Sequence, residues 1–278
     1  MAGELVVSTI NGAGFDGGNV VINPEFTINQ RGAASRTTTS SAYNFDRWYY
    51  DGTNLLQGIE GNNLRAGTYV ISWEGSSTAA FSLNTAAASG QGSESYTSVT
   101  NGGTITIASV GSNNLWIRFT SDLTNLTKVK VSPGTEASGF VARPYGTELA
   151  LCQRYFEKCF SQTIAPQQGV GPSNQVYAGG LTAYSTSNAR TPRIRFAVTK
   201  RASPTITLYR PASAQGGSSD GVWSYYNGSQ VWTSFTSNGV IDSSTLDNEF
   251  GVEGGISGGF TINNAYIFGG TWTASSEL

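Results

Sequence analysis

Histidine is absent from this chain of 278 residues, and cysteine occurs only twice. The lack of histidine excludes the Ser-His-Asp and Cys-His schemes of nucleophilic catalysis and nearly all zinc sites. Charged residues make up 12% of the sequence, about half the usual share. Because the formal net charge is only -2, the composition predicts no basic surface and no nucleic-acid partner.

Long hydrophobic runs are also missing from the sequence. No apolar run approaches the ~20 residues that a transmembrane helix needs, so no membrane insertion is predicted. The first four residues carry no basic side chain and no long apolar segment follows them, so no secretory signal is expected. No phosphate-binding loop of the GxxxxGK(S/T) type occurs. The sequence therefore predicts no cofactor and no metal site.

Glycine and aromatic residues are abundant instead. The chain has 35 glycines, and aromatic residues reach 12%, a balance that argues against disorder. Apolar and polar residues alternate in short stretches, as at Tyr69, Ile71 and Trp73, and Gly/Asn/Ser clusters separate these stretches. The predicted fold class is all-β: an antiparallel jelly-roll-like β-sandwich over residues 22–146, one short helix, and a second β-rich domain over residues 161–278.

A helical pattern interrupts the strands at residues 148–160, which read ELALCQRYFEKCF. Its apolar positions recur on one face of a 3.6-residue period and are Leu149, Cys152, Phe156 and Cys159. We predict a connecting helix over residues 147–160, with Thr147 as its N-cap. The apolar face of this helix must pack on a sheet or on a copy of itself in another subunit.

The two cysteines lie on this predicted helix. Two helical turns would separate the Cα atoms of Cys152 and Cys159 by about 10 Å, which is beyond the reach of a disulfide. Both are interpreted as small buried hydrophobic residues, with a contact between subunits as the alternative. A chain without a disulfide framework is expected to be made in a reducing cytosol.

Glycoside hydrolysis by a pair of carboxylates is the remaining catalytic chemistry that the residue types allow. The candidate carboxylates are Asp46, Glu60, Glu74, Asp220, Asp242, Asp247, Glu249 and Glu253. Nothing in the sequence pairs two of them across a cleft. They are interpreted as solvated loop residues or structural ion pairs, and the chain is predicted not to be an enzyme.

Aromatic side chains without a clear role in the core are the better binding candidates. In the predicted strand around residue 116, Leu115, Ile117 and Phe119 share an apolar face, while Trp116 and Arg118 share the other. Trp116 and Arg118 are therefore tentative ligand-binding residues. The alternative is that their face is covered by a subunit or domain interface.

A second aromatic group surrounds Asn227-Gly228, which is a hairpin signal for a type I′ turn. The tentative ligand-binding residues here are Trp223, Tyr225, Tyr226, Asn227, Gln230 and Trp232. Aromatic rings and amide groups suit sugars, because apolar ring faces stack and hydroxyls form hydrogen bonds. The alternative is that half of these rings face the core, since strand residues alternate.

Five motifs follow one another along the first half of the chain. They are Asn23–Gly32 (NPEFTINQRG), Asp46–Trp48 (DRW), Gly67–Trp73 (GTYVISW), Phe140–Pro144 (FVARP) and Glu148–Phe156 (ELALCQRYF). This order resembles a domain family common in bacteriophage virion appendages, mainly tail fibres and related receptor-binding or decoration proteins. The resemblance covers residues 22–160, and the C-terminal region carries no motif of that family.

The resemblance implies a carbohydrate-binding-module-like sandwich in a homotrimeric virion protein that is made in the cytoplasm of the bacterial host. The expected function is a tail fibre or receptor-binding appendage that contacts host surface polysaccharide. A head-side decoration or head-fibre protein is the alternative, and a glycan-depolymerising tailspike is a third. Residues 1–21 are predicted to form an attachment arm that contacts other virion proteins, with an N-terminal strand shared between subunits as the alternative.

Most polar residues of these motifs are interpreted as structural. They are Gln30, Arg31, Asp46, Arg47, Trp48, Arg143, Glu148 and Arg154. The DRW motif is either a site or an ion pair beside a buried anchor tryptophan. We expect Gln30 to end a strand, Arg143 to end the last strand of the sandwich, and Arg154 to pair with Glu157 one helical turn away.

Overall fold

The structure is a computed structural model that describes residues 18–170, 176–213, 217–226, 232–240, 246–256 and 259–278. The chain divides into two compact units. Unit 1 contains Ala34–Leu149, the residues up to Ile28, and Leu278. Unit 2 contains Asn29–Ala33 and Ala150–Glu277. Most of the regular secondary structure in the described residues is antiparallel strand, and the prediction of an all-β, sandwich-like fold with one short helix is confirmed. The jelly-roll topology stays a prediction.

Unit 1 contains nine strands and two short 3-10 turns among the described residues. The strands are β1 (Ala42–Phe45), β2 (Trp48–Tyr50), β3 (Leu55–Ile59), β4 (Gly67–Glu74), β5 (Thr78–Asn84), β6 (Thr97–Val99), β7 (Thr104–Ile107), β8 (Asn114–Thr120) and β9 (Thr127–Pro133). The turns are η1 (Gly61–Asn63) and η2 (Ala88–Ser93). The strands form a six-stranded sheet in the order β1-β2-β3-β8-β5-β6 and a three-stranded sheet in the order β7-β4-β9.

The core of unit 1 lies between these two sheets. Leu115, Ile117 and Phe119 of β8 belong to one buried cluster with Ile71 and Trp73 of β4. Successive strand residues point to opposite faces, so the alternation in the sequence brings one face of each sheet into this cluster. Burial of apolar side chains in this cluster is the main source of the stability of unit 1.

The end of the predicted attachment arm is part of unit 1. Val21 is fully buried in the core cluster. The Asn19 amide donates to the Val129 carbonyl at 3.0 Å and accepts from the Val131 amide at 3.0 Å. Residues 19–21 therefore run along β9 rather than extending as a free arm. Residues 1–17 lie outside the described part of the chain.

The helix is shorter than the sequence predicts. It is α1 (Tyr145–Gln153), and Phe156–Lys158 form strand β10 instead of continuing it. The prediction of helix through residue 160 is wrong because the backbone of β10 pairs with a distant strand, with Phe156 opposite Ser275. Tertiary pairing of this kind overrides local helix preference. The helix also begins two residues before Thr147, so Thr147 is not its N-cap.

Unit 2 contains eleven strands among the described residues. They are β10, β11 (Val176–Ala183), β12 (Asn188–Arg190), β13 (Ile194–Arg195), β14 (Thr205–Tyr209), β15 (Ser224–Tyr226), β16 (Trp232–Ser234), β17 (Ser237–Val240), β18 (Glu249–Phe250), β19 (Val252–Gly255) and β20 (Ala265–Ser275). Strand β20 pairs antiparallel with β10, β11, β14 and β15.

Strand β20 organises the aromatic core of unit 2. Trp223 is fully buried, and its indole lies so close to Gly270 of β20 that a Cβ there would be 2.3 Å from the ring. The Trp223 indole N–H donates to the Thr271 carbonyl at 3.1 Å. Glycine at position 270 thus leaves room for an indole to cross a central strand.

No helix within the described residues is both long enough and apolar enough to cross a membrane.

Candidate functional site

A groove with a volume of about 520 Å³ opens on unit 1, within the usual range for sites of small ligands. Among the described residues it is lined by Trp73, Ser77, Thr78, Ala79, Ala80, Ser98, Val99, Thr100, Asn101, Arg118 and Thr120. Strand pairing sets its floor, because Ala80 of β5 lies opposite both Arg118 of β8 and Ser98 of β6. The small Ala80 side chain lies between two longer ones and leaves a depression across three strands.

One wall of the groove is built around Trp73. Its indole N–H donates to the Ser77 carbonyl at 3.1 Å, and its ring meets Phe119 edge-on with centroids 5.3 Å apart. The Asn101 side chain accepts from the Trp73 amide at 3.1 Å and donates to the Trp73 carbonyl at 2.8 Å. The tryptophan is therefore held in one orientation, with little of its surface left exposed.

Hydroxyl groups also line the groove. Ser98 and Thr100 are exposed on the edge strand β6 and the turn after it. Thr78 donates to the Thr120 carbonyl at 3.4 Å, and Thr120 donates to Asn54 at 2.6 Å. Hydroxyls both donate and accept hydrogen bonds, so these groups can bind a polyhydroxylated ligand.

Arg118 is the charged residue of the groove among the described residues that line it. Its guanidinium lies over the Tyr96 ring, with Cζ 4.0 Å from the ring centroid. The Arg118 Nε atom is buried and has no hydrogen-bond acceptor within the described part of the chain. Burial raises the pKa of the Tyr96 phenol, and the positive charge of Arg118 opposes that rise. The phenol donates to Gln91 at 2.6 Å.

The structure brings the two tentative residues of β8 to one face but leaves only Arg118 at the surface. Trp116 is fully buried in a cluster with Tyr49, Leu56 and Ala88, against which Leu278 packs. This contradicts the predicted exposed ligand platform. Trp116 does lie on the face of β8 opposite the core, as the alternation predicts, but turn η2 and Leu278 cover its indole. Trp116 lies opposite Gly58, where an added Cβ would be 2.8 Å from the ring.

The aromatic hairpin of unit 2 is mostly core as well. Strands β15 and β16 pair as a hairpin, with Tyr226 opposite Trp232. Trp223 and Tyr225 are buried, and Tyr225 packs against Phe235 with centroids 5.1 Å apart. This contradicts the interpretation of these two rings as a receptor-contact surface. Tyr226 is half-buried. Asn227 and Gln230 lie outside the described residues, as does the side chain of Trp232.

Several of the candidate carboxylates take part in ion pairs, as their structural interpretation expects. The pairs are Glu74–Lys128 at 2.9 Å, Asp220–Arg210 at 2.8 Å, Glu249–Arg193 at 3.6 Å and Glu253–Arg190 at 2.6 Å. Asp46 and Glu60 are buried. Asp242 lies outside the described residues. No cluster of three or more His, Cys, Asp or Glu side chains in the described ranges could hold a metal ion.

The motif residues of unit 1 meet around Asn23, which is fully buried. Its backbone N–H donates to Glu148 at 2.6 Å, and its carbonyl accepts from the Trp48 indole at 2.8 Å. Its side-chain amide donates to the Asp46 carbonyl at 3.0 Å. Asn23 belongs to the first of the five motifs, but no local pattern in the sequence indicates this central role. Its left-handed backbone, with φ 55, is a conformation in which asparagine is enriched.

Arginines complete this arrangement. Arg143 pairs with Glu148 at 3.0 Å and donates to the Val21 carbonyl at 3.0 Å. It lies in the segment between β9 and α1, so the prediction that it ends a strand is wrong. Arg47 is buried and donates to the Gly58 carbonyl. The buried anchor role expected for Trp48 is met, since its side chain has no exposed surface.

The remaining motif residues belong to unit 2. Gln30 is buried in a turn rather than at a strand end, and it donates to the Phe156 carbonyl at 2.7 Å. Arg31 pairs with Glu277 at 2.9 Å. The predicted helical spacing of Arg154 and Glu157 does not occur, because α1 ends at Gln153. The Arg154 carbonyl accepts from Ser276 Oγ at 3.1 Å.

Glu157 lies in β10 and pairs with Lys200 at 2.5 Å. The Lys200 side chain has no exposed surface, and its ammonium also donates to the carbonyl of Gln153, the last residue of α1. Burial lowers the pKa of Lys200, and the Glu157 carboxylate opposes this effect. The pair links the end of the helix to the strand that follows it.

Both cysteines are free thiols. Cys152 is fully buried, as predicted. Cys159 is half-buried and follows β10, where its Sγ accepts from the Trp272 amide at 3.0 Å. Burial raises the pKa of the Cys159 thiol to about 12, although the hydrogen bond with Trp272 opposes the rise.

Comparisons with protein-family models, with curated proteins and with solved structures give no match for this chain.

Proposed function

We propose that this chain is a non-enzymatic structural component of a bacteriophage virion, and that unit 1 binds a host surface glycan. The single observation that carries the glycan-binding part is the groove across β5, β6 and β8. It places a fixed tryptophan wall, exposed hydroxyls and one guanidinium around a space of about 520 Å³. Sugars present apolar ring faces and many hydroxyls, which this combination of groups fits.

Binding is favoured over hydrolysis by the character of the lining. Arg118 carries the charge of the groove among the described lining residues, and the others are neutral. A glycosidase of the usual design places two carboxylates on opposite sides of the bond that it cleaves. The groove residues are suited to hold a sugar in place but not to transfer protons to it.

The virion part of the proposal is supported by the five collinear motifs of residues 23–156. The expected role is a tail fibre or other receptor-binding appendage, assembled as a homotrimer and joined to other virion proteins through the part of the predicted arm that precedes Asn19. Labelling the protein on intact virions tests the location by electron microscopy. Label on the tail supports the appendage, whereas label on the head favours a decoration or head-fibre role.

The oligomeric state has its own test. Size-exclusion chromatography with light scattering at micromolar concentration should give three times the chain mass of 29.3 kDa. The chain has no disulfide, so burial between subunits is the expected source of the stability of the assembly. A monomer would contradict the trimer but leave the groove proposal intact.

Filling the groove tests glycan binding directly. Ser98→Trp places a large side chain at the rim and should abolish binding of the purified protein to an array of bacterial polysaccharides. Thr97→Trp is the matched control. It lies on the same edge strand but points to the other face and is not part of the groove lining. Equal binding by both variants, or no binding by the unaltered protein, would contradict the proposal.

A further inference from the structure

The geometry points to a specific ligand chemistry for the groove of unit 1: a saccharide that carries an anionic substituent, bound through the guanidinium of Arg118. This inference rests on the proposed function and deepens it, because it names the class of glycan that the same site selects.

The first support is the electrostatic state of Arg118. Among the described residues, its guanidinium forms no ion pair, and its Nε–H has no acceptor although the atom is buried. That Nε–H is closed to a ligand as well as to solvent, but the terminal amino groups of the guanidinium are not among the buried unpaired atoms and form no hydrogen bond with a described residue. A ligand in the groove that supplies an acceptor for these amino groups therefore gains affinity. A charged acceptor gains the most, because its hydrogen bonds with arginine are charge-assisted and can be bidentate.

The second support is preorganisation. The Arg118 guanidinium is held against the Tyr96 ring at 4.0 Å, and Tyr96 is fixed by its hydrogen bond to Gln91 at 2.6 Å. Gln91 is fully buried and donates to Asn84 at 2.9 Å. The cation is thus placed before the ligand arrives. A ligand therefore does not have to lose affinity to order a flexible side chain.

The third support is the surroundings of the cation. The other described lining residues are hydroxyl, amide or apolar, and none is a carboxylate that would repel an anion. Two acidic residues, Glu94 and Asp51, act on Tyr96 electrostatically, but neither is among the lining residues or forms an ion pair with Arg118. The Ser98 side chain lies opposite Ala80 in the same row across the sheet, where a sugar hydroxyl next to the anionic group can reach it.

The experiment compares matched glycans on one purified protein. Immobilised galacturonate oligomers, neutral galactose oligomers and phosphate-substituted galactose oligomers differ only in the substituent. Binding is measured for the unaltered protein, Arg118→Gln, Arg118→Lys and Arg65→Gln. Arg65 is an exposed arginine of the same unit that does not line the groove, so its variant has the same net charge as Arg118→Gln.

The expected result is binding of the anionic oligomers that weakens about tenfold or more in Arg118→Gln, less in Arg118→Lys, and not in Arg65→Gln. Preference for galacturonate identifies a carboxylate, and preference for the phosphate-substituted oligomer identifies a phosphate. Equal binding of neutral and anionic oligomers, unchanged by Arg118→Gln, would overturn the inference but keep the proposed function. Absence of binding to every oligomer would overturn this inference, and absence of binding to the polysaccharide array as well would overturn both.

Discussion

The side chain of Trp116 is buried on the outer face of the six-stranded sheet of unit 1. It lies over Gly58, and Leu278 and turn η2 cover it from outside. The indole N–H has no hydrogen-bond partner in the described part of the chain, so its contribution comes from packing. The residue therefore stabilises the face that carries the groove rather than contacting a ligand.

Trp116→Ala should lower the free energy of unfolding by about 3–5 kcal/mol, because it removes a large buried ring and leaves a cavity. Urea unfolding followed by circular dichroism measures the change. Tyr145→Ala is the control, since Tyr145 is 56% exposed and its removal should change stability by less than about 0.5 kcal/mol. Similar small effects for both variants would show that Trp116 is not a packing residue.

The two thiols should be unreactive in the folded protein. Burial raises the pKa of Cys159 to about 12, and Cys152 has no exposed surface. Because the thiolate is the reactive form, native protein at about pH 8 should show almost no reaction with Ellman's reagent. The same protein in denaturant should release two equivalents, one for each cysteine. Rapid reaction of one thiol in the native protein would contradict this burial.

At the scale of elements, the segment after α1 depends on contacts far away in the sequence. Strand β10 is held by β20 and by the ion pair between Glu157 and Lys200. Lys200 also satisfies the carbonyl of Gln153 at the end of the helix, where a positive charge is favourable. The buried pair therefore sets the point at which helix gives way to strand.

A double-mutant cycle tests this role. Lys200→Met should lower the free energy of unfolding by about 3–5 kcal/mol, because it leaves the Glu157 charge buried without its cation. Adding Glu157→Gln should restore about 0.5–3 kcal/mol, since the unpaired charge is then removed. Unfolding in urea measures all four forms. Additive losses in the double variant would mean that the two residues act independently.

The regular strands of unit 1 could be predicted from the sequence, because alternation at Tyr69, Ile71 and Trp73 is a local signal. The end of α1 could not. The helical spacing of Cys152 and Phe156 continues into residues that pair with a strand more than a hundred positions away. The same limit explains Trp116, whose face was predictable but whose cover comes from η2 and Leu278.

The groove was only partly predictable for a related reason. Arg118 was identified because it lies on the face opposite the core. The alternation at Trp73 predicts a strand, and nothing local indicates that its side chain lines a groove. The floor depends on Ala80 lying between Arg118 and Ser98, which is a matter of strand register.

At the scale of the whole molecule, the absence of histidine removes the side chain that ordinarily titrates near neutral pH. The free energy of unfolding should therefore change by less than about 0.5 kcal/mol between about pH 6 and 7.5. Above that range, the contribution of Lys200 to the free energy of unfolding should rise with pH, while the raised pKa of Cys159 acts in the opposite direction. Burial lowers the pKa of Lys200 from its ordinary 10.5, so between the two values the unfolded state binds more protons than the folded state.

Urea unfolding of the unaltered protein and of Lys200→Met at several pH values checks both parts. The free energy of unfolding of the unaltered protein should exceed that of Lys200→Met by an amount that grows as pH increases toward 10.5 and stays level above it. A difference that shrinks with increasing pH would mean that folding raises the pKa of Lys200 instead. A steep dependence in both proteins below about pH 7.5 would contradict the expected flat range.

Strand β20 has a consequence for how the protein is made. Unit 2 cannot pair β10, β11, β14 and β15 with β20 until residues 265–275 have left the ribosome. All strands of unit 1 are complete by Pro133. Domains generally fold as units during synthesis, in N-to-C order. The strands of unit 1 can therefore pair while the chain is still being synthesised. More than a hundred residues of unit 2, in contrast, are synthesised before β20, the strand with which they pair. Until β20 is available, this part of the chain depends on protection from aggregation.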